Sequence, residues 1–154
     1  MKYKDFLNIL YIIILLVVLR QIYYGYHAKK SATGKLIAYY MPQSRFLIVF
    51  LAMMLMLLGA YTLIAKEYFG LVYLLSGIGF AYISYQKIYI YEDGILYNTK
   101  FTKWEQIKKW GYNDRTKNLE ILTNAVKNSK QIIPLRIEDK NEVMTIIKRK
   151  KKNK

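Results

Sequence analysis

The chain has 154 residues, a formal net charge of +15 and no cysteine. The absence of cysteine excludes disulfide frameworks, thiolate metal sites and cysteine nucleophiles. In a soluble protein this charge would indicate nucleic acid, but here the apolar residues crowd before residue 86 and the charges after it. Lysine and arginine near apolar membrane segments instead mark the cytoplasmic side and attract anionic lipid headgroups.

The first apolar run, residues 6–24, follows a short charged start and is interrupted only by Asn8 before Arg20. The run resembles a signal peptide, but Arg20 and several tyrosines follow its apolar core, where small cleavage-site residues would be expected. We therefore predict an uncleaved membrane helix over about 6–24, with Tyr23 and Tyr24 at the interface. A helix lying on the membrane surface is the alternative, although the run has no polar stripe at helical spacing.

Two further apolar runs, residues 46–65 and 68–85, are separated only by Lys66 and Glu67. A bilayer crossing needs about 20 apolar residues, so the pair predicts a tight hairpin of two membrane helices. Small residues would let the two backbones approach closely, because packing drives helix association in lipid. The predicted packing residues are Gly59, Gly70, Gly77 and Ala81. They serve either the hairpin itself or contacts between copies of the chain.

The loop of residues 25–45 is basic and contains an apolar patch at 36–41. This patch either lies in the headgroup layer or begins the second helix early, with Pro42 at a permitted N-terminal position. Three crossings would place the loop and the basic C-terminal region on one side of the membrane. The positive-inside rule then predicts the N-terminus outside and the C-terminus in the cytoplasm. If the first run does not cross, the N-terminus is cytoplasmic too.

After Gln86 the apolar residues alternate with the period of strands. Residues 87–91 and 95–98 flank Asp93-Gly94, which is a strong hairpin signal. Further strands are predicted at 101–104, 109–112, 119–123 and 131–137. A closing helix follows, in which Asp139 and Glu142 have capping-box spacing. The basic tail, residues 148–154, is expected to fray.

This order of elements resembles small bacterial multi-pass membrane proteins of unknown function with a cytoplasmic PH-like domain. The resemblance rests on an E-x-G-I turn, a W-x-x-I element and a W/Y-x-W/Y strand, matched here by Glu92, Gly94, Ile95, Trp104, Ile107, Trp110 and Tyr112. It implies a curved antiparallel sheet closed by a C-terminal helix, with Trp104 and Ile107 in the core, to which we add Trp110 and Val143. Because residues 87–148 are few for such a domain, we expect a sheet that is incomplete or complete only in an oligomer.

The predicted fold class is therefore α+β. Three N-terminal transmembrane helices occupy residues 1–86, and a small antiparallel PH-like domain with a C-terminal helix and basic tail occupies residues 87–154.

The sequence offers no set of residues for catalysis or transport. His27, the one histidine, lies in a basic loop with nothing nearby to orient it. No pair of residues has metal-ligand spacing, and no glycine-rich phosphate loop precedes a helix. The predicted spans carry no ionisable residue at their centres, where ion-coupled carriers need one. We expect no catalytic residue, metal or cofactor.

The basic residues of the C-terminal half are predicted to contact anionic headgroups, each charge near the surface contributing about 1 kcal/mol. They are Lys108, Lys109, Lys148, Arg149, Lys150, Lys151 and Lys152. A solvated tail that only marks topology is the alternative. Nucleic acid is not an expected partner, because tryptophans in so small a sheet are more often core than stacking platforms.

Two functions fit these features. One is a scaffold or accessory protein that anchors the PH-like domain at the cytoplasmic membrane face and contacts a membrane protein or further copies of itself. The other is immunity against a membrane-active bacteriocin, since small, very basic membrane proteins serve that role. A cationic surface would repel a cationic peptide, or the helices would occupy its docking site.

Overall fold

The computed structural model describes residues 3–43, 45–124 and 129–152. Within these ranges, the helices are α1 (Tyr3–Lys30), α2 (Phe46–Ile64), α3 (Gly70–Ser84) and α4 (Ile137–Lys152). The strands are β1 (Leu36–Tyr40), β2 (Ile88–Tyr91), β3 (Gly94–Tyr97), β4 (Lys100–Lys103), β5 (Ile107–Asn113), β6 (Asn118–Thr123) and β7 (Lys130–Pro134). An α+β chain with antiparallel sheets and a C-terminal helix is thereby confirmed. Asn153 and Lys154, at the end of the predicted tail, lie outside the described residues.

The chain divides into two compact units. The helical unit contains Met1–Tyr26 and Arg45–Gln86, and the β unit contains His27–Ser44 and Lys87–Lys154. The sequence predicts a division at residue 86 alone, with the loop before α2 belonging to the membrane region. The structure differs in that loop because β1 pairs with β2 and so joins the β unit.

Two helices, α1 and α2, are long and apolar enough to cross a membrane. α1 continues beyond the predicted end at residue 24 to Lys30. Its last turn carries basic residues, whose positive charge interacts favourably with the negative C-terminal end of the helix dipole. α3 has 15 residues, a length of about 22 Å against about 30 Å of hydrocarbon. Among the described residues, two of the three predicted spans therefore reach the required length.

Glycines allow α2 and α3 to pack closely and antiparallel. A Cβ atom at Gly59 would lie 2.7 Å from the Leu74 nitrogen and 2.9 Å from the Gly70 carbonyl oxygen. A Cβ atom at Gly77 would lie 2.9 Å from the Ala52 carbonyl oxygen. Backbone atoms cannot move aside as a flexible side chain can, so a larger residue at either position would force the helices apart.

The turn between α2 and α3 closes with a Schellman motif. The Lys66 nitrogen donates to the Leu63 carbonyl and the Glu67 nitrogen to the Thr62 carbonyl, both at 2.9 Å. Lys66 adopts a φ of 60° at the position where this motif needs the left-handed conformation. The charged pair that separates the apolar runs therefore ends α2.

Two antiparallel sheets build the β unit. β1, β2, β3 and β4 form one sheet in that order, and β5, β6 and β7 form the other. The 3-10 turn Trp104–Gln106 connects β4 to β5, and an isolated bridge pairs Pro42 with Leu135. The last strand ends at Pro134, before the predicted end at residue 137, because Ile137 already begins α4.

One apolar core lies between the two sheets and α4. It consists of Tyr40, Ile88, Ile90, Ile95, Trp104, Ile107, Leu119, Ile121, Ile133, Leu135, Val143 and Ile147. Of the predicted core residues, Trp104, Ile107 and Val143 are buried, and Trp110 is half-buried against this core. Tyr40 belongs to β1, so the loop before α2 contributes a core residue.

The predicted hairpin at Asp93-Gly94 joins β2 to β3, but with a different backbone conformation. Neither residue has a positive φ, whereas a type I′ Asp-Gly turn requires one at both positions. Glycine is needed here for space, because a Cβ atom at Gly94 would collide with the Thr102 carbonyl oxygen.

Candidate functional site

The turn between β2 and β3 fixes the segment that leads from α1 to β1. Asp93 Oδ2 accepts hydrogen bonds from the Thr33 backbone N–H at 2.9 Å and the Thr33 hydroxyl at 3.0 Å. The Glu92 N–H donates to the Lys35 carbonyl at 2.9 Å. Burial alone would raise the pKa of Asp93, but the bonds from Thr33 and Gly34 lower it below the usual 3.8. The E-x-G-I turn therefore anchors the segment before β1.

Trp104 connects this turn to the C-terminal end of α4. Its indole N–H donates to the carbonyl oxygens of Tyr91 at 3.2 Å and Glu92 at 3.0 Å. Lys151 Nζ donates to the carbonyl oxygens of Trp104 at 3.2 Å and Ile107 at 2.6 Å. These bonds hold the last turn of α4, which extends to Lys152. From the sequence we expect residues 148–154 to fray, whereas residues 148–152 are helical.

The cations predicted to contact lipid lie on two elements. Lys108 and Lys109 are exposed on β5, and the others belong to α4. On α4, three are exposed: Lys148, Arg149 and Lys152. Lys150 is half-buried, and Lys151 donates to backbone carbonyls. Because Lys151 contacts Trp104, the α4 cations lie at the end of the β unit that carries the Glu92–Asp93 turn.

The opposite end of the β unit, away from the Glu92–Asp93 turn, contains the end of β1 and the start of β2. The chain leaves this end toward α2 and returns to it from α3. Lys87, the residue before β2, places its Nζ 4.0 Å from the centre of the Tyr39 ring. After β1, the Gln43 N–H donates to the Pro134 carbonyl at 3.1 Å. The first contact joins β1 to the start of β2, and the second joins the end of β1 to the junction between β7 and α4.

A pocket of about 250 Å³ opens at that junction, lined by Gln43, Lys117, Arg136, Ile137 and Glu138. The Leu135 N–H donates to the Lys117 carbonyl at 3.2 Å, which holds the turn between β5 and β6 against the pocket. We use the name junction rim for six exposed or partly exposed residues at this end: Tyr39, Met41, Lys87, Lys117, Arg136 and Ile137. A search for clusters of charged residues in the sequence does not identify the rim, because its cations are far apart along the chain.

A groove of about 470 Å³ lies on β5 and β6. Gly111 leaves room in its floor, since a Cβ atom there would meet nothing within 4 Å. Glu120, in its lining, lies 2.9 Å from Lys130 Nζ and accepts a bond from Asn113 at 3.3 Å. The bonds from Lys130 and Asn113 lower the pKa of Glu120. Glu120 is thus an ion-paired carboxylate in the lining of the groove.

The helical unit contains an apolar groove of about 410 Å³, lined by Leu10, Tyr11, Ile14, Leu51, Met54, Leu55, Leu58 and Phe80. Many large apolar side chains of its helices are exposed, among them Leu47 at 79% and Ile64 at 82%. Of the predicted packing residues, Gly59, Gly70 and Gly77 are buried between α2 and α3, and Ala81 is half-buried.

Within the part of the chain that the structure describes, no group of three or more His, Asp or Glu residues is placed to hold a metal ion.

Residues 86–152 match a family model described as a domain of unknown function, DUF5673. The matched segment runs from the end of the helical unit to the end of α4 and leaves out residues 1–85, among them β1. No curated protein and no solved structure matches the chain.

Proposed function

We propose that the chain is an integral protein of the cytoplasmic membrane that holds its β unit at the inner face as a non-enzymatic scaffold or accessory protein. The observation that carries the proposal is the pairing of β1 with β2. β1 ends at Tyr40, shortly before α2, and β2 begins at Ile88, shortly after α3. Since paired strands share one compartment, a chain that enters the membrane with α2 must return with α3.

The third crossing is supported by the contact between α2 and α3. Close packing along Gly59 and Gly77 keeps α3 beside α2 over its length. The aromatic residues Tyr68, Phe69 and Tyr85 flank α3 in turn conformation and extend the apolar stretch to 68–85, which would be about 27 Å long if it were helical throughout. A shortfall of a few ångströms costs fractions of a kcal/mol per ångström through local thinning of the bilayer.

The end of α1 lies on the same side as the β unit. Ala28, in its last turn, packs with Tyr91 and Leu96 of the sheet. If α1 crosses the bilayer, its N-terminus therefore lies on the other side. The β-unit side carries most of the lysine and arginine residues, whereas the α2–α3 turn carries only Lys66 with Glu67. The positive-inside rule then places the β unit in the cytoplasm and the N-terminus outside.

We propose further that the β unit is PH-like. A sheet of four strands, a sheet of three and a closing C-terminal helix support this assignment. From the sequence we expect a sheet with too few strands for such a domain, and β1, which precedes the α2–α3 hairpin in the chain, supplies an additional strand. A single chain then completes the domain without a second copy.

Cysteine accessibility tests the topology, because the chain has no cysteine of its own. In intact cells a membrane-impermeant maleimide should label Lys66→Cys, in the α2–α3 turn. Thr116→Cys, in the exposed β5–β6 turn, should be labelled only after permeabilisation. Labelling of Thr116→Cys in intact cells, or protection of Lys66→Cys there, would contradict the proposed arrangement.

Photocrosslinking tests the scaffold role. A crosslinker placed in the exposed groove on β5 and β6, for instance at Leu122, should capture a membrane protein in the native host. Recovery of uncrosslinked chain alone from every position tried would count against a scaffold. The immunity hypothesis stays a prediction, and unchanged killing of a sensitive host that expresses the chain would exclude it for the peptide used.

A further inference from the structure

We propose that the junction rim, and not the basic tail of α4, is the surface of the β unit that lies in the headgroup layer of the inner leaflet. Its ligand is the anionic phosphate headgroup of membrane lipid. This inference rests on the membrane anchoring proposed above and adds which face of the β unit meets the lipid.

The chain leaves the β unit for α2, and returns to it from α3, beside the rim. Gln43 is three residues from the start of α2 at Phe46, and Lys87 is three residues from the end of α3 at Ser84. Both connections leave the β unit at the end that carries the rim.

The side chains of the rim are those that favour a membrane–water interface. Tyr39 and Ile137 are each 56% exposed and Met41 is 44% exposed, although all three are large and apolar or aromatic. Lys87 lies against the Tyr39 ring at 4.0 Å. Aromatic rings and long cationic side chains are enriched at headgroup depth, where an apolar body and a polar tip both find partners.

The pocket in the rim has a lining whose net positive charge suits a phosphate group. Lys117 and Arg136 outnumber Glu138 in its lining. The bond from the Leu135 N–H fixes the backbone of Lys117, which has a φ of 52°. Arginine and lysine bind phosphate oxygens through charge-assisted hydrogen bonds.

The basic tail lies too far from this end to contribute comparably. α4 has 16 residues, a length of about 24 Å. It begins at the rim with Ile137 and ends at Lys152, and the Nζ of Lys151 in its last turn is bound to the Trp104 carbonyl. At physiological ionic strength the Debye length is about 8 Å, so the tail charges are largely screened from lipid at the rim.

Fluorescence quenching in nanodiscs tests the proposal on the full chain. Met41→Cys and Arg149→Cys carry the same environment-sensitive dye, and the discs contain a headgroup nitroxide lipid. The dye at position 41 should be quenched at least threefold more strongly than the dye at position 149. Equal quenching, or stronger quenching at position 149, would overturn the proposal.

Charge variants test the lipid chemistry with a matched control. Discs of mixed phosphatidylglycerol and phosphatidylcholine are made with the unlabelled chain, and co-purifying lipid is measured by native mass spectrometry. Lys87→Gln/Lys117→Gln/Arg136→Gln should lose at least half of the phosphatidylglycerol enrichment, whereas Lys148→Gln/Arg149→Gln/Lys150→Gln should keep it. Equal loss in both variants, loss only in the tail variant, or loss in neither would overturn the proposal.

Two further measurements separate this inference from the proposed function. If Met41→Cys forms a disulfide between copies and excludes lipid, the rim is a dimer contact and the inference fails while the anchoring stands. If the labelling of Lys66→Cys and Thr116→Cys fails, the anchoring itself fails. Circular dichroism of each charge variant shows that the β unit is still folded.

Discussion

Gly59 shows how a single missing side chain sets the distance between two helices. Its neighbours across the contact are backbone atoms of Leu74 and Gly70, at 2.7 Å and 2.9 Å from an added Cβ. Gly59→Leu should destabilise the helical unit by about 1–3 kcal/mol, the usual cost of overpacking. Thermal unfolding in detergent measures the loss. Ala60→Leu, at the next and exposed position, is the control and should change the midpoint little. An unchanged midpoint for Gly59→Leu would contradict the observed packing.

We expect Asp93 to make the β unit sensitive to acid. The pKa of Asp93 is lowered in the folded state, so its contribution is present above the unfolded pKa and is lost as pH falls through the folded value. Asp93→Asn should lower stability at pH 7 by about 1 kcal/mol, less than the roughly 1.5–3 kcal/mol typical of hydrogen bonds to charged groups, because these bonds are exposed to solvent. The Asp93→Asn variant should also lose less stability than the parent chain when the pH falls below 3.8.

Unfolding followed by tryptophan fluorescence between neutral and acid pH measures both effects. Thr33→Val removes one donor to the carboxylate and should shift the acid transition of the parent chain to higher pH. Parallel pH profiles for the parent chain and Asp93→Asn would show that another group controls the transition.

At the scale of elements, α4 is held at its C-terminal end by Lys151. Replacing Lys151 with Met removes the donor to the Trp104 and Ile107 carbonyls. Amide hydrogen exchange in residues 104–107 and in the last turn of α4 should become faster, by about fivefold for a loss near 1 kcal/mol. Lys148→Met, an exposed position on the same helix, is the control. Equal protection in both variants would mean that the Lys151 bonds do not hold α4.

Several elements follow from local patterns in the sequence. Alternation of apolar and polar residues predicts the strands after residue 86, and long runs without charged residues predict the helices. Both patterns depend only on the environment of each residue within its own element. β1 escaped prediction because residues 36–41 are apolar at every position, with no alternation. In β1, Tyr40 faces the core while Tyr39 is exposed. The two faces of this strand therefore differ in burial although the residues on them have similar polarity.

The candidate site was harder to predict than the fold. The consecutive lysines of α4 are obvious in the sequence, but which end of the β unit they occupy depends on the contact of Lys151 with Trp104. The junction rim is assembled from β1, the start of β2, the β5–β6 turn and the start of α4. Only tertiary pairing brings such distant segments together, and a single sequence carries no signal for it.

At the scale of the molecule, the β unit is discontinuous, and this is testable with fragments. Residues 87–152 alone lack β1, which leaves the hydrogen-bonding edge of β2 unpaired and removes Tyr40 from the core. We expect this fragment to be soluble only in part and to show broad, poorly dispersed amide resonances. Fusing residues 31–43 to its N-terminus through a flexible glycine–serine linker should restore dispersed resonances and cooperative unfolding.

The matched control for the fragment experiment is the same fusion with Tyr40→Asp, which places a charge in the core. It should behave like the fragment without β1. If residues 87–152 fold cooperatively by themselves, then β1 is an addition to the β unit and not a required strand.

The interruption of the β unit by the α2–α3 hairpin orders events during synthesis. β1 leaves the ribosome before α2, yet its partner β2 does not exist until α3 has been made. In the proposed topology, a hairpin that enters the bilayer but fails to return leaves the two strands in different compartments, and the β unit stays unfolded and open to proteases. Completion of the sheet would thus report that insertion succeeded, and cells could remove misinserted chains by ordinary degradation of unfolded protein.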